Sequence, residues 1–421
     1  MPRFLSALLA FSLVCLLLSG CGSKVIKPDR YFGDKTGRSM ITSAESTTSG
    51  YSSEHIHSSH NQTSLPTFST TAISANITDT TAISGSSQNV MTTTDVTTVI
   101  SDGTTTVTNS GTTHFPSRPT LDDIQKKYDL LKIPTYEKSG QVTHPKVMYF
   151  PHKWNGYHYW MVMTPYPYGN SKFENPSIVV SNDGVHWEEP PGIKNPISGV
   201  PEDVKSGAYY SDPHIVMKGN TMEVWHRYNH AKGTPEKPKE DLEHNHWIRR
   251  VSNDGIHWSQ PEEMFETNDG ALSACIEYEN GVYIMWYATL QNKGSNLLRF
   301  ESKDGKIWTK SVLCSVPIPQ GYRIWHQDVI KHNGMYYLLE AAKMPKSNMV
   351  QLFLLSSKDG INFNLLQEVV PPGGKDMWKD ISFYRSTLLV KNNQFEMYVS
   401  VIPYRMRSLK KMVMPIPAYM E

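Results

Sequence analysis

The stretch Ser181-Asn182-Asp183-Gly184-Val185-His186-Trp187 decides how the rest of this sequence is read. It recurs as Ser252-Asn253-Asp254-Gly255-Ile256-His257-Trp258, as Ser302-Lys303-Asp304-Gly305-Lys306-Ile307-Trp308 and as Ser357-Lys358-Asp359-Gly360-Ile361-Asn362-Phe363. Intervals of 71, 50 and 55 residues make this an internal repeat. A β-type apolar run precedes each copy and a polar run follows it. Asp-Gly between such runs signals a hairpin, because both residues tolerate the positive φ of primed turns. The aromatic three residues after the glycine is placed to fold back over the turn.

Working outward, each copy closes a longer unit. Apolar inner runs stand at 144–150, 212–217, 273–278 and 326–330, each followed by an Asn- or Gly-containing turn. Aromatic second runs follow at 159–163, 222–226, 282–287 and 335–339, and a third run ends at the repeated motif. A fifth unit begins at 384–388 without a copy of the motif. Each unit is thus a four-stranded meander, and such sheets repeated radially are propeller blades. The intervals average about 59 residues, so the roughly 280 residues from position 140 hold five blades. The long first interval carries a charged, proline-containing insertion at 232–245. The expected fold is all-β, a five-bladed β-propeller of four-stranded antiparallel blades at 119–421.

The N-terminal residues read differently. Residues 1–20 have a basic start and an apolar core, the pattern of a secretory signal. Residues 21–118 are rich in Ser and Thr and too poor in apolar side chains to offset chain entropy. They are expected to form a disordered tether with a reach of about 50 Å. Thr120 can cap a short helix running to Leu131, with Leu121, Ile124, Tyr128 and Leu131 on one face. With 41 basic and 40 acidic residues there is no electrostatic case for a nucleic-acid partner. A monomer is expected. Cys275 and Cys314 read as buried free thiols.

The chemistry is expected on the face opposite the repeated turns. There the first positions of the inner strands form a ring of His144, Asp212, Ser273, His326 and Ser386. Asp212 is the leading acid, with Glu174 and Glu340 as second carboxyls able to reach the same face. Glycoside cleavage needs two carboxyls about 5–10 Å apart. Arg227 and Arg385 are placed to hold Asp212 or a ligand carboxylate, and Trp325 and Tyr384 to stack on a sugar. His144 and His326 are counted with the substrate-binding residues; they could also ligate a central ion, but no third ligand is evident, so no metal and no cofactor is assigned and a central ion stays open.

Four resemblances add to this. Leu18-Ser19-Gly20-Cys21 resembles the bacterial lipobox, which implies lipidation of Cys21 and a lipoprotein held on the outer side of the cell membrane through that anchor alone. Ser211-Asp212-Pro213 opening the second blade resembles the five-bladed propellers of glycoside hydrolase family 43 and the related family 32. His144-Pro145, Asn155-Gly156-Tyr157, Glu174-Asn175-Pro176, Trp325-His326 and Tyr384-Arg385-Ser386 are similar to a bacterial surface-protein group with that propeller. The family-43 likeness implies three inner-strand carboxylates; Asp212 matches the one from blade two, while His144 and Ser273 stand where the other two belong. The repeat is similar to the sialidase Asp-box but one residue shorter, and an arginine triad for sialate is not evident. The function expected is a cell-surface lipoprotein whose propeller hydrolyses or binds extracellular polysaccharide or oligosaccharide. A non-catalytic glycan-binding or scaffold propeller is the alternative, and whether the chain is an enzyme is left open.

Overall fold

The computed structural model describes residues 118–417, apart from 203, 230–244 and 292–293, and a pair of strands between 95 and 110. Strands β1 (Asp95–Ser101) and β2 (Thr104–Ser110) pair antiparallel inside the stretch expected to be an unstructured tether. Their sequences are rich in β-branched Val, Ile and Thr, which suit a pleated ribbon. The signal segment, Cys21 and the rest of the tether lie outside the described residues.

Helix α1 (Leu121–Tyr128) begins as expected, with the Thr120 side chain and Asp123 forming a reciprocal capping box. It stops earlier than expected: Asp129 takes φ +50 and ends the helix five residues before Pro134. Ile124 and Tyr128 pack with Leu130 into the core that also holds Trp378, Phe383 and Val399.

Five sheets follow. Blade one holds β3 (Val142–Trp154), β4 (Tyr157–Pro165) and β5 (Ser177–Ser181), its fourth strand reduced to a bridge between Val180 and Glu188. Blade two is β6 (Tyr209–Lys218), β7 (Thr221–Asn229), β8 (Asn245–Ser252) and β9 (Glu262–Thr267). Blade three is β10 (Leu272–Glu279), β11 (Val282–Gln291), β12 (Gly294–Ser302) and β13 (Val312–Leu313). Blade four is β14 (Arg323–His332), β15 (Met335–Lys343), β16 (Val350–Ser357) and β17 (Asn364–Val369). Helix α2 (Gly374–Trp378) leads to blade five. There the inner position is split into β18 (Ser382–Phe383) and β19 (Thr387–Lys391), both paired to β20 (Gln394–Ile402), with β21 (Ser408–Pro415) outside. The inner strands β3, β6, β10, β14 and β19 touch one another in that order and β19 returns to β3, which closes the ring. The segment after α1 docks beside β21, where the Leu131 N–H donates to the Leu409 carbonyl at 2.8 Å.

The repeated motif is the turn between third and fourth positions, as expected, but it is not a primed turn. Only its glycine has positive φ, from +70° to +77° in the four copies. The aspartate holds the turn through its side chain instead. In the first copy Asp183 Oδ1 accepts from the N–H groups of Val185 and His186, both at 2.8 Å, and the Gly184 N–H donates to Ser181 Oγ. The same set recurs in the other three copies. Trp258 and Trp308 fold back, each indole N–H donating to the carbonyl of its own motif glycine at 3.1 Å.

Each motif glycine also meets an aromatic on the second strand of the preceding blade. Gly255 lies against Trp160, Gly305 against Trp225, Gly360 against Trp286, and Gly184 against Tyr398 of blade five. Trp286 Nε1 donates to the Gly360 carbonyl at 2.7 Å, and the Tyr398 hydroxyl donates to that of Gly184 at 3.1 Å. A methyl group at Gly305 would stand 2.7 Å from the Trp225 ring, whereas at Gly219, also of positive φ, it would meet nothing within 4 Å. Gly305→Ala is therefore expected to cost about 1–3 kcal/mol more than Gly219→Ala, the penalty of overpacking added to a shared backbone strain. Urea unfolding of both variants measures the difference, and equal costs would remove the packing role.

Candidate functional site

The ring expected from the inner strands forms at one end of the axis. Four inner strands slip register at the same level: between Thr143 and Lys146, Ser211 and His214, Leu272 and Cys275, and Ile324 and His326. A bulge re-aims one side chain off the pleat. His144, Asp212 and Ser273 take φ of +53°, +51° and +54° at these bulges, a conformation that side-chain-bearing residues adopt only when the surroundings impose it. The result turns His144, Asp212, Ser273 and His326 onto the axis, all of them buried.

Asp212 is the centre. The Ser273 hydroxyl donates to its Oδ1 at 2.8 Å and Arg227 Nε approaches its Oδ2 at 3.1 Å. Arg227 is braced in turn by Ser211 Oγ, to which its Nε and Nη2 donate. His144 Nε2 and His326 Nδ1 stand 3.5 and 3.6 Å from Asp212 Oδ1. Burial by itself would raise the Asp212 carboxyl, but Arg227, then His144 and His326, outweigh it and hold the group well below the usual carboxylate range. Burial pushes the His144 imidazole down to about 3 and that of His326 well below its ordinary value, so both rings are neutral.

Neutral imidazoles beside an ionised carboxylate are a metal-ligand set. One atom each from His144, Asp212 and His326 lies within 4.8 Å of the others. His144 Nε2 and His326 Nε2 are buried and have no hydrogen-bond partner, while the other nitrogens are engaged: His144 Nδ1 lies 3.0 Å from Thr164 Oγ1, and His326 Nδ1 meets Ser273 Oγ. Each ring is thus oriented through one nitrogen with the second left open. The third ligand missing from the sequence reading is Asp212 itself. The residues present fit a divalent ion of the nitrogen-and-oxygen type.

The remaining expected residues divide. Glu174 is brought in: its Oε1 is 3.6 Å from His144 Nδ1 on the far side of that ring from Asp212, and burial, then the charge of Asp212, raise it well above its ordinary value. Glu340 is not brought to Asp212. Its Oε1 accepts from the Trp325 N–H at 3.0 Å within the β14 bulge, its Oε2 has no partner, and burial raises it strongly. Tyr384 sits between the histidines, its ring 4.4 Å from that of His326 and 5.1 Å from that of His144. It takes the place expected for Ser386, because β18 and β19 part there and the Ser386 hydroxyl donates to the Tyr384 carbonyl. Trp325 offers less stacking surface than expected, since Lys343 Nζ lies 3.3 Å from its ring centroid. Arg385 lies fully buried below the ring, donating to the Pro213 carbonyl at 2.8 Å; it locks the Asp212-Pro213 backbone and does not face a ligand. Tyr166 was not anticipated. It stacks on His144 at 6.3 Å and carries the Arg407 guanidinium 4.4 Å above its own ring. Its position at the outlet of strand two, the level of Glu174, was the available signal.

Below the ring lies a second cluster, His214, Cys275 and Asp328, whose ligand-type atoms also converge. It is filled. Lys146 Nζ donates to both Asp328 oxygens at 2.9 and 3.1 Å, and Thr387 and the Leu388 N–H donate to Oδ2. His214 Nε2 lies 3.0 Å from the Ile276 carbonyl oxygen, and burial pushes the Cys275 thiol up to about 12. Both cysteines are free and buried, as expected.

No protein-family model matches the chain. It is 30% identical over 297 residues to an A type blood N-acetyl-alpha-D-galactosamine deacetylase of Flavonifractor plautii, covering 59% of this chain but only 37% of that protein. The crystal structure of an N-acetylgalactosamine deacetylase from F. plautii, in complex with blood group B trisaccharide, superposes with a TM-score of 0.56 at 25% identity, covering 65% of this chain and 84% of that one. A thermostable family-43 glycoside hydrolase gives 0.48 at 14% identity, covering 66% and 90%.

The buried Lys146–Asp328 pair ties blade one to blade four. Lys146→Met leaves an uncompensated carboxylate and is expected to cost about 3–5 kcal/mol in urea unfolding; a loss under about 1 kcal/mol would show the pair to be dispensable. With the fold and this ring in place, the relationship to the F. plautii protein makes the chain a homologue of a carbohydrate-active β-propeller.

Proposed function

We propose that this protein is a glycan N-deacetylase, hydrolysing the amide of an N-acetylated amino sugar within an oligosaccharide. The observation that carries this is the open pair of Nε2 atoms on His144 and His326 beside the ionised Asp212. The similarity to a deacetylase supports the same reaction.

His144, Asp212 and His326 would hold a divalent ion, which supplies Lewis acidity toward the acyl carbonyl and makes water a stronger acid. Arg227 keeps Asp212 ionised and oriented. Glu174, which burial and the charge of Asp212 hold toward its protonated form and which has no hydrogen bond of its own among the described residues, protonates the departing nitrogen, while the proton of the attacking water passes to solvent. The carbon–oxygen bond forms at the acyl carbon, the carbon–nitrogen bond breaks, and acetate leaves the free amine behind. Tyr384 and Tyr166 wall the sugar. Lipidation at Cys21 would hold such an enzyme at the outer cell surface, facing extracellular glycans; that placement belongs to the proposal.

A glycosidase reading survives on one observation, that Glu174 and Asp212 flank the two sides of the His144 ring. The products separate the two. With a neutral oligosaccharide ending in N-acetylgalactosamine, acetate release is expected, abolished by EDTA and restored by added zinc or manganese. His326→Ala is expected to bind the ion about 100-fold or more weakly by calorimetry. Glu174→Gln should retain the ion and lose about 10²–10⁴ in rate. New reducing ends without acetate would select the glycosidase, and acetate release indifferent to EDTA and to His326→Ala would overturn the proposal.

A further inference from the structure

Blade four carries a cleft of about 480 Å³ on its upper rim, lined by Gly321, Arg323, Met344, Pro345, Lys346, Ser347 and Asn348. Arg323 opens β14, three residues before His326, so the cleft begins about 10 Å from the ring at roughly 3.3 Å per residue. That is beyond a single sugar seated at His326 and within reach of its neighbours in the same chain.

Two of the lining residues are cationic and none is acidic. A third cation stands beside them: Lys343 pairs with Arg323 across the β14–β15 ladder and lays its ammonium over Trp325. Burial, then the charge of Arg323, pull Lys343 below its ordinary value, and among the described residues no salt bridge to a carboxylate offsets this. The whole chain is almost neutral, at +1, so three cations at one rim, none in a salt bridge among the described residues, are a local segregation of charge. The walls are ordered rather than trailing. The Met344 N–H donates to the Met349 carbonyl at 2.9 Å and the Met349 N–H to Ser347 Oγ at 3.0 Å, which ties 344–349 into a closed turn. Gly321 forms the other wall, where a Cβ would meet Pro345 at 3.2 Å. Like charges held together at a built cleft store repulsion that an anionic ligand relieves, and their field draws such a ligand toward the ring.

We infer that this cleft is a subsite for an anionic substituent, a carboxylate or a sulfate ester, on the glycan whose amino sugar occupies the ring. The inference rests on the deacetylase reading for the sugar at the ring, and its own observable is affinity, not turnover.

The test uses the whole chain and two probes that contain N-acetylgalactosamine, unsulfated and 6-sulfated chondroitin tetrasaccharide, against a neutral tetrasaccharide ending in the same sugar. Binding is measured by calorimetry at low and high salt. At low salt the anionic probes are expected to bind at least about tenfold tighter than the neutral one, with the advantage shrinking as salt rises. The double variant R323E/K346E changes two exposed side chains and is expected to erase the advantage while leaving the neutral affinity unchanged. An advantage confined to the sulfated probe assigns the cleft to sulfate, and one shared by both assigns it to the uronate; either supports the inference. Equal affinities for all three probes, or a variant that weakens neutral and anionic probes alike, would overturn it. Anion-dependent binding without acetate release would sink the deacetylase reading and leave the cleft standing. Acetate release with no anion preference would do the reverse.

Discussion

The contact on which this structure depends is the one between a turn glycine and an aromatic ring of the neighbouring blade. Gly255 on Trp160, Gly305 on Trp225 and Gly360 on Trp286 couple successive blades, and Gly184 on Tyr398 carries the series from blade one back to blade five. A propeller blade by itself is a small twisted sheet with two open faces. It becomes stable only when both faces are packed, and interiors packed at crystal-like density leave no room for a Cβ at these points. The aspartate in each turn serves the same end, since its carboxylate ties the backbone so that the glycine is presented at one height. Blade five carries no motif; its outer edge is met by the Leu131 segment behind α1.

Blades clamped in this way can hold a strained centre. Three consecutive inner strands place a non-glycine residue at φ above +50°, and each does so at a register slip. Such conformations persist where the surroundings over-determine them, and they gather at functional sites. The strain has a geometric product: His144, Asp212 and Ser273 leave the alternation of their strands and point along the axis. Arg385 secures the arrangement from beneath by gripping the Pro213 carbonyl immediately after Asp212.

Charge is layered along the same axis. The upper layer is built around Asp212, ionised by Arg227 and bordered by two neutral imidazoles with open nitrogens. The lower layer is built around Asp328, whose oxygens are taken by Lys146, Thr387 and the Leu388 N–H. Both are three-residue clusters of ligand type, yet one is completed by the protein and the other is not. A saturated carboxylate makes a structural joint, and an unsaturated set makes a candidate site.

Much of the fold was legible in one dimension, since periodicity survives without coordinates. The four Ser-x-Asp-Gly copies set the blade count and register, and sent the chemistry to the opposite face. Asp212, His144, His326 and Glu174 could be named because the first residue of an inner strand and the outlet of a second strand must share that face. The turn type could not be read, because Asp-Gly allows a primed turn as readily as an aspartate-tied one. Nor could the partners of the ring. Whether Glu340 or Glu174 reaches the ring, and whether Tyr384 or Ser386 completes it from blade five, depends on bulges and a strand break that leave no periodic trace. That His144, Asp212 and His326 converge as a set able to hold a metal ion was hidden too, since its third member stood in view as a catalytic acid. The sequence alone determined a five-bladed propeller with a polar ring. Only tertiary structure decided which members of that ring meet, because sequence does not show which atoms from residues 68 and 114 positions apart converge within 4.8 Å of one another.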